Sequence, residues 1–425
     1  MSKVVKLRWE ADIESGLPRR DRASCEYEAY IPDFLARREI PVLGNVAADV
    51  VDAEVAVARF DAEAQALADT EALARLLLRA ESVASSKIEG LEVGPGRLLK
   101  AEFARSLGEA AEDVTANEVL GNVQAMTWAL ETVRAGDPIT VATLLEAHAR
   151  LLAGTRLDEY AGRIRERQNW IGGSSYNPCS ASFVPPPHEY VRELLDDLCA
   201  FCARDDLPAV VQAAIAHAQF ETIHPFIDGN GRIGRALIHL VLRRRGLATR
   251  VLPPISLILA TMADDYVSGL TATRYAGDPD GASAVDGLNR WMGLFATACR
   301  RSVEDAFTFE QGIKTLQESW RSTLGNVRRD SATDRLINAL PGTPILAVGS
   351  AADLIGRTFQ ATNEAISRLV DAGILRQIKV GRRNRAFEAP ELIRLFTDLE
   401  RLLASPGGDT RTSPPVRPVP HRRAR

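Results

Sequence analysis

The chain has 425 residues, of which 46% are hydrophobic and 25% charged, so its composition is globular and its length suggests two or three domains. Its 52 basic and 56 acidic residues give a net charge of −4, which excludes a protein that binds nucleic acid over its whole surface but permits a local basic patch. The sequence has no apolar secretory core near its start and no apolar run long enough to span a membrane. We therefore expect a cytoplasmic protein without a membrane partner.

The five cysteines are scattered along the chain and do not indicate a disulfide framework. Cys199 and Cys202 form a CxxC pair, but they lie in a helical pattern without ligand-spaced histidines nearby. We expect them to be buried helix residues, and we expect His148 and His217 to be structural as well.

Ala- and Leu-rich helical patterns follow one another through the first half of the chain, over residues 54–88, 113–134 and 139–153. Residues 169–187 interrupt them, because paired glycines, serines and a triple proline cannot continue a helix. This segment predicts a hairpin with a loop, which could cover the edge of a site.

Two further helices flank a glycine-rich loop. An amphipathic pattern predicts the first helix from Pro208 to Ile223, and it should stop at His224 because Pro225 disfavours helical geometry in the residue before it. The second helix begins after the loop and closes near residues 243–246. The pattern predicts a helix-loop-helix cradle with a histidine at one helix end.

The loop itself has a phosphate-binding pattern, which reads HPFIDGNGRIGR over residues 224–235. Gly229, Asn230 and Gly231 allow the backbone to turn sharply and to direct its N–H groups at a phosphate near the start of the second helix. The histidine would face the group that receives the phosphate.

Beyond about residue 300 the sequence changes to charged helices, and residues 340–390 resemble a winged helix-turn-helix. Its presumed recognition helix would expose Gln360, Thr362, Asn363 and Ser367. The wing that follows is basic and has no acidic residue among Arg376, Lys379, Arg382, Arg383 and Arg385. From Ser405 onward the composition predicts a disordered basic tail.

The loop pattern fits HxFx(D/E)GNGRxxR at every fixed position, and in this it resembles the Fic (Fido) family, whose members usually transfer AMP from ATP to a hydroxyl side chain of a target protein. The resemblance covers roughly residues 25–300 and includes a flap at GRIRERQNWIGG and FVPPP. It implies a mainly α fold: a Fic helical bundle with a β-hairpin flap, plus a C-terminal winged helix-turn-helix domain.

The resemblance also assigns roles to the loop. His224 would be the general base that removes the proton from the target hydroxyl, a role that suits its near-neutral pKa. Asp228 would hold the Mg²⁺ that bridges the ATP phosphates, and Phe226 would only anchor the loop in the core.

The remaining loop residues would bind the nucleotide. Gly229, Asn230 and Gly231 would bind and polarise the α-phosphate, while Arg232 and Arg235 would grip the outer phosphates from one helix face. Because Asn230 and Gly231 are intact, unlike in the phosphate-transferring Doc toxins of the superfamily, AMP transfer is the favoured reaction.

A second motif, Ser85 to Gly90, fits the (S/T)xxxE(G/N) inhibitory pattern of the family. By resemblance, Glu89 would pair with Arg235, occupy the place of the ATP γ-phosphate and turn AMP transfer off. A glutamate before a glycine is also ordinary at a helix end, so a solvated surface residue is the alternative.

The sequence thus predicts a Mg²⁺-dependent protein adenylyltransferase that uses ATP, modifies a Ser, Thr or Tyr hydroxyl of a target protein or of itself, and is restrained by Glu89. The alternatives are a transcriptional regulator that binds DNA and uses the Fic core as a nucleotide sensor, and an enzyme that removes AMP from its target. A homodimer is also possible. The predicted segments are an N-terminal helical region with the inhibitory helix (1–110), a Fic catalytic core (111–300), connecting helices (301–335), a winged helix (336–402) and a disordered tail (403–425).

Overall fold

The computed structural model of the protein describes residues 2–10, 22, 24–64, 70–108, 113–380 and 384–403. These residues are mainly helical, as expected. The strands are β1 (Lys3–Trp9), β2 (Cys25–Ile31), β3 (Ile345–Leu346), β4 (Arg376–Val380) and β5 (Asn384–Glu388). The α-helices are α1 (Gly44–Ala64), α2 (Thr70–Ile88), α3 (Pro95–Ser106), α4 (Val114–Thr132), α5 (Val141–Leu152), α6 (His188–Cys202), α7 (Ala209–Ile223), α8 (Asn230–Arg244), α9 (Ile255–Thr261), α10 (Ala263–Ala272), α11 (Ala282–Leu324), α12 (Ala332–Ala339), α13 (Val348–Ile355), α14 (Phe359–Asp371) and α15 (Pro390–Leu403).

The chain divides into two compact units. The first comprises Met1–Ala64, Gly121–Leu252 and Asp264–Arg301, and the second comprises Gln65–Leu120, Pro253–Ala263 and Ser302–Arg425. The glycine loop and the flap belong to the first unit, and the proposed inhibitory motif belongs to the second. Among the helices of the described residues, none has the length and apolar character that crossing a membrane requires.

Helices α7 and α8 form the centre of the first unit. All 15 residues of α7 are buried, so the predicted amphipathic helix is instead a central one, covered on every side. Gly234 lets α8 approach it closely, because a β-carbon there would collide with the carboxylate of Glu221. Trp291 donates its indole N–H to the carbonyl of Ala214 at 2.8 Å and so secures α11 to the same core.

The first half of the chain departs from the prediction in two places. The helical pattern over residues 54–88 belongs to two helices, α1 and α2, with residues 65–69 between them outside the described part. Before α1, β1 and β2 pair as an antiparallel hairpin, with Leu7 opposite Tyr27. We did not predict this hairpin, because its two strands are separated in sequence by a stretch without a short turn signal.

The cysteines also differ in part from the expectation. Cys25 at the start of β2 and Cys179 in the flap form a disulfide bond across 154 residues. Cys199 and Cys202 are free and lie in α6 as expected, and burial raises the pKa of Cys199 to about 12. They are therefore protonated at neutral pH, which does not suit a metal or redox site.

In the second unit, α12, α13 and α14 precede β4 and β5, and the sheet order is β3-β5-β4. The turn before α14 is made by Gly356 in a left-handed conformation, and Thr358 caps α14 by accepting a hydrogen bond from the backbone N–H of Ala361. Thr362 was expected to be exposed, but it is buried and donates to the carbonyl of Thr358. The predicted tail from Ser405 and the wing residues Arg382 and Arg383 lie outside the described residues.

Candidate functional site

His224 lies at the C-terminal end of α7, where the sequence places it. Its N–H donates the last helical hydrogen bond to the carbonyl of Phe220 at 2.9 Å, and its own backbone is left-handed, with φ 49° and ψ 61°. This conformation is uncommon for a residue with a β-carbon and costs about 1–3 kcal/mol. Surrounding contacts must therefore hold the backbone of the predicted base in place.

Arg165 and Asn169, at the root of the flap, supply those contacts. The Nε of Arg165 donates to the carbonyl of His224 at 2.9 Å, and the Nδ2 of Asn169 donates to the same carbonyl at 3.2 Å. Asn169 also donates to the carbonyl of Phe226 at 2.9 Å, and the backbone N–H of Arg165 donates to that of Pro225 at 2.9 Å. We call Arg165 and Asn169 the flap clamp.

The Arg165 side chain is buried among carbonyl oxygens. Its guanidinium also donates to the carbonyls of Arg167 at 3.1 Å and Pro186 at 2.5 Å, on the two arms of the flap. Burial lowers its pKa to about 10, so the side chain is still a cation at neutral pH. The sequence predicts the flap but not the flap clamp. The only signal for it was the location of both residues in GRIRERQNW.

The flap is a hairpin whose two arms share little β-sheet pairing. Ile171 and Phe183 form one antiparallel bridge, and a short 3-10 helix, Pro178–Ser180, occupies the connection. Gly173 is left-handed and lies against the carbonyl of Ser180, so no side chain fits there. The predicted hairpin is therefore present.

The glycine loop turns sharply at Gly229, whose φ is 78°. A β-carbon there would lie 2.7 Å from the Cδ2 of Leu151, so both conformation and space require glycine. Asn230 braces the loop from within: its Oδ1 accepts from the N–H of Phe226 at 2.8 Å, and its Nδ2 donates to the carbonyl of Phe226 at 2.9 Å. The side chain of Asn230 is thus engaged in shaping the loop. Its backbone N–H, at the start of α8, is the group that can interact with an anion.

Helix α8 begins immediately after this turn. The first helical hydrogen bond runs from the N–H of Ile233 to the carbonyl of Gly229 at 3.0 Å, so the N–H groups of Asn230, Gly231 and Arg232 precede the helical ladder. Such N–H groups, together with the helix dipole, attract an anion. The start of α8 can therefore bind a phosphate.

Asp228 and Arg232 form an ion pair at 2.8 Å across the loop, with the carboxylate about half exposed and the guanidinium buried. Within the described part of the chain, no group of three or more His, Cys, Asp or Glu residues is arranged to hold a metal ion. One half-exposed carboxylate nevertheless fits Mg²⁺, which commonly takes one or two carboxylates and completes its shell with phosphate oxygens and water. A metal here would thus be bound together with a nucleotide.

The other predicted site residues of the first unit are buried. Arg235 lies one turn after Arg232 on α8 and is only 1% exposed, and Phe226 is 0% exposed, as expected of an anchor. His217 is hydrogen-bonded through Nε2 to the hydroxyl of Tyr266 at 2.8 Å, which confirms a structural role. His148 is also a buried structural residue, as expected: its ring stacks on Phe226 and its Nε2 lies 3.0 Å from the carbonyl of Asp228.

The second unit contains the proposed inhibitory motif at the C-terminal end of α2. The N–H of Leu91 donates to the carbonyl of Ser86 at 3.0 Å, and the N–H of left-handed Gly90 donates to that of Lys87 at 2.9 Å. This pair of bonds is a Schellman motif with Glu89 at the C-cap. The backbone of Glu89 is therefore fixed by the helix end, and Gly90 is explained by the left-handed conformation that this helix end requires.

Together, these features form a helix-loop-helix site suited to binding phosphate, with a histidine at the end of one helix and an N-terminus without a side-chain cap at the start of the next helix. Comparison with known proteins shows what these residues are similar to. Residues 138–242 match the Fic/DOC family, and residues 47–131 match the Fic/DOC family N-terminal region.

Curated relatives show the same similarity. The chain is 34% identical over 157 residues to protein adenylyltransferase fic-1 of Caenorhabditis elegans, and 30% identical over 154 residues to protein adenylyltransferase Fic of Nematostella vectensis. These matches cover 36% and 35% of this chain, but only 28% and 33% of the relatives. The chain thus spans about a third or less of the length of these proteins.

A solved structure supports the fold. A Fic family protein from Desulfovibrio desulfuricans superimposes with a TM-score of 0.50 at 20% sequence identity, covering 83% of this chain and 98% of the other. Its likeness extends well beyond the matched family segments.

Proposed function

We propose that the protein is a protein adenylyltransferase, which transfers AMP from ATP to a Ser, Thr or Tyr hydroxyl of a protein. The observation that carries this proposal is the intact loop of residues 224–235, in which a histidine at a helix end precedes a helix N-terminus that no side chain caps. Relatives that share the domain are named as protein adenylyltransferases.

In the proposed reaction, His224 accepts the proton of the target hydroxyl. The hydroxyl oxygen then bonds to the α-phosphorus of ATP while the bond to pyrophosphate breaks. The N–H groups at the start of α8 stabilise the charge that builds on the α-phosphate oxygens. Arg232 and Arg235 would bind the β- and γ-phosphates, which requires Arg232 to exchange Asp228 for the nucleotide at least in part.

Mg²⁺ would offset the negative charge of the phosphates and of the leaving pyrophosphate. Asp228 is the side chain that would hold it. Its carboxylate is half exposed, and its pairing with Arg232 keeps it beside the helix N-terminus.

The test of this function is incorporation of label from α-³²P-ATP into protein, with His224→Ala as the inactive variant. Loss of the base should abolish transfer, while ATP binding should persist because the phosphate-binding groups remain. Because Glu89 is expected to restrain the parent, both proteins carry Glu89→Gly, and equal incorporation with and without His224→Ala would overturn the assignment of the base.

We further propose that Glu89 restrains the enzyme, on the basis of the SSKIEG motif and of the fixed backbone at Glu89. A preference of only about 1.4 kcal/mol for the inhibited state lowers the active population tenfold. Glu89→Gly should therefore raise AMP incorporation about tenfold or more. Glu92→Gly, at a nearby exposed glutamate outside the motif, is the matched control. An increase of the same size in both variants would contradict a specific inhibitory role.

The same site could instead remove AMP from a modified target. Incubation of an AMP-modified protein with the parent chain, followed by measurement of released AMP, distinguishes the two directions. Two results together would favour the reverse reaction: release of AMP that depends on Glu89, and AMP incorporation that stays at background in Glu89→Gly.

A second candidate function is DNA binding by a winged helix-turn-helix formed by α12, α13, α14 and the β3-β5-β4 sheet. The order of these elements and the exposure of Gln360 and Ser367 on α14 support it. The basic wing supports it less, because Arg376 is paired with Glu388. An electrophoretic shift with a salt titration tests this function, and Gln360→Ala should weaken binding to a specific site but leave non-specific binding unchanged.

Cytoplasmic location is part of the proposal, and the Cys25–Cys179 bond stands against it, because reducing compartments rarely keep disulfides. Thiol counting on protein isolated under acid quench decides between them. Five free thiols would support a reduced cytoplasmic protein, and three would support an oxidising compartment.

A further inference from the structure

His148 lies on α5 directly beneath the glycine loop and is completely buried. Its ring is parallel to that of Phe226, with an interplanar angle of 3° and ring centroids 3.8 Å apart. Its Cδ2 also lies near the position that a β-carbon of Gly229 would occupy, at 3.6 Å. The ring therefore forms part of the floor on which the loop rests.

Both ring nitrogens are engaged, and their partners fix the tautomer. The backbone N–H of Gly162 donates to Nδ1 at 3.1 Å, so Nδ1 carries the lone pair. The proton is then on Nε2, which donates to the carbonyl of Asp228 at 3.0 Å. A neutral histidine with this tautomer connects the turn before the flap to the glycine loop.

The bond to the Asp228 carbonyl also orients the peptide group that it belongs to. In a trans peptide, the C=O of Asp228 and the N–H of Gly229 point in opposite directions. Because the carbonyl points at the buried His148, the N–H of Gly229 points away from this floor. One hydrogen bond can thus set the direction of an N–H at the glycine loop and fix the backbone of Asp228, the proposed metal-binding residue.

We propose that His148 is a positioning residue for nucleotide binding: through its Nε2–H it holds the Asp228–Gly229 peptide in the orientation that binds phosphate. This inference rests on the proposed function. His148 does not touch the substrate and acts only through the loop.

Three substitutions separate the parts of this side chain. His148→Gln places an amide donor near the position of Nε2 and keeps the bond to Asp228. His148→Asn places its amide near Nδ1 and keeps only the contact with Gly162. His148→Phe keeps the stacking on Phe226 and removes both hydrogen bonds.

The experiment measures the affinity of each variant for ATP with MgCl2 by calorimetry, the Mg²⁺ concentration at half-maximal AMP transfer, and the Tm, all in the full-length Glu89→Gly background. We expect His148→Asn and His148→Phe to bind ATP about tenfold more weakly and to need more Mg²⁺, and His148→Gln to stay within about threefold of its parent. His239→Gln and His239→Phe are matched controls, because this buried histidine of α8 lies nine residues beyond Asn230.

A role limited to stability predicts a different order. ATP affinity would then follow the Tm, and His148→Phe would bind ATP as tightly as His148→Gln or more tightly. That order, or equal losses in the His148 and His239 variants, would overturn the proposal. ATP affinity is measured without turnover. A parent that binds ATP but transfers no AMP would therefore refute the proposed function, and the series of affinities would still decide the role of His148.

Discussion

Replacing Asn169 by alanine tests whether the flap clamp holds the predicted base in its working position. The substitution removes one amide that donates to the carbonyls of both His224, at 3.2 Å, and Phe226, at 2.9 Å. Each such bond contributes about 1 kcal/mol, so the change removes about 2 kcal/mol of support. The left-handed conformation of His224 costs about 1–3 kcal/mol, so the lost support is comparable to the strain that it opposes.

The expected result is a loss of kcat. A loss of about 2 kcal/mol shifts the equilibrium between correctly placed and displaced His224 by up to about thirtyfold, and the active population falls accordingly. The remaining hydrogen bonds from Arg165 reduce this loss. KM for ATP should change less than twofold, because the start of α8 is untouched. The assay is AMP incorporation at varied ATP in the Glu89→Gly background, with urea unfolding as a check on the fold.

Asn177→Ala is the matched control. Asn177 lies in the same flap, and its side chain accepts a hydrogen bond from the N–H of Cys179 at 3.1 Å. Equal effects of the two substitutions on kcat, or a rise in KM for ATP with kcat unchanged in Asn169→Ala, would refute the reasoning.

Three further predictions concern the loop and the core around it. Gly229→Ala should weaken ATP binding about tenfold as measured by calorimetry, because its φ of 78° and the contact with Leu151 both exclude a side chain; unchanged affinity would show that the turn tolerates rearrangement. Gly234→Ala should lower the free energy of unfolding by about 1–3 kcal/mol in urea, because the added methyl group meets Glu221 in the α7–α8 contact; an unchanged transition midpoint would refute this account of the packing. Burial lowers the pKa of His217 to about 3, well below its value in the unfolded chain. Unfolding at acidic pH therefore takes up a proton, and the free energy of unfolding should fall as the pH drops from about 6.5 toward 3. His217→Gln should remove up to about 1.4 kcal/mol per pH unit of this slope, and an unaltered slope would show that other groups cause it.

The sequence by itself determined the parts of the site that depend on local rules. The end of α7 at His224 follows from Pro225, and the sharp turn follows from Gly229. The start of α8 and its close at Gly246, which has a φ of 70°, follow from helix periodicity and glycine placement. These features depend on interactions within a few residues, so one sequence is enough to predict them.

Features that depend on long-range packing were less predictable. Helical periodicity described α7 as amphipathic, but burial on all sides depends on which other elements surround it. The β1–β2 hairpin has a long connection, between Trp9 and Cys25, and the Cys25–Cys179 bond joins segments 154 residues apart. Neither leaves a local pattern.

The tertiary structure alone decided what holds the site in place. Arg165 reaches the carbonyl of His224 across 59 residues, and His148 reaches that of Asp228 across 80 residues. In the sequence they are one arginine among several and a histidine in an ordinary helix. Only folding brings them to backbone carbonyls. Because every residue has a backbone carbonyl, the sequence does not indicate which one a given side chain will contact.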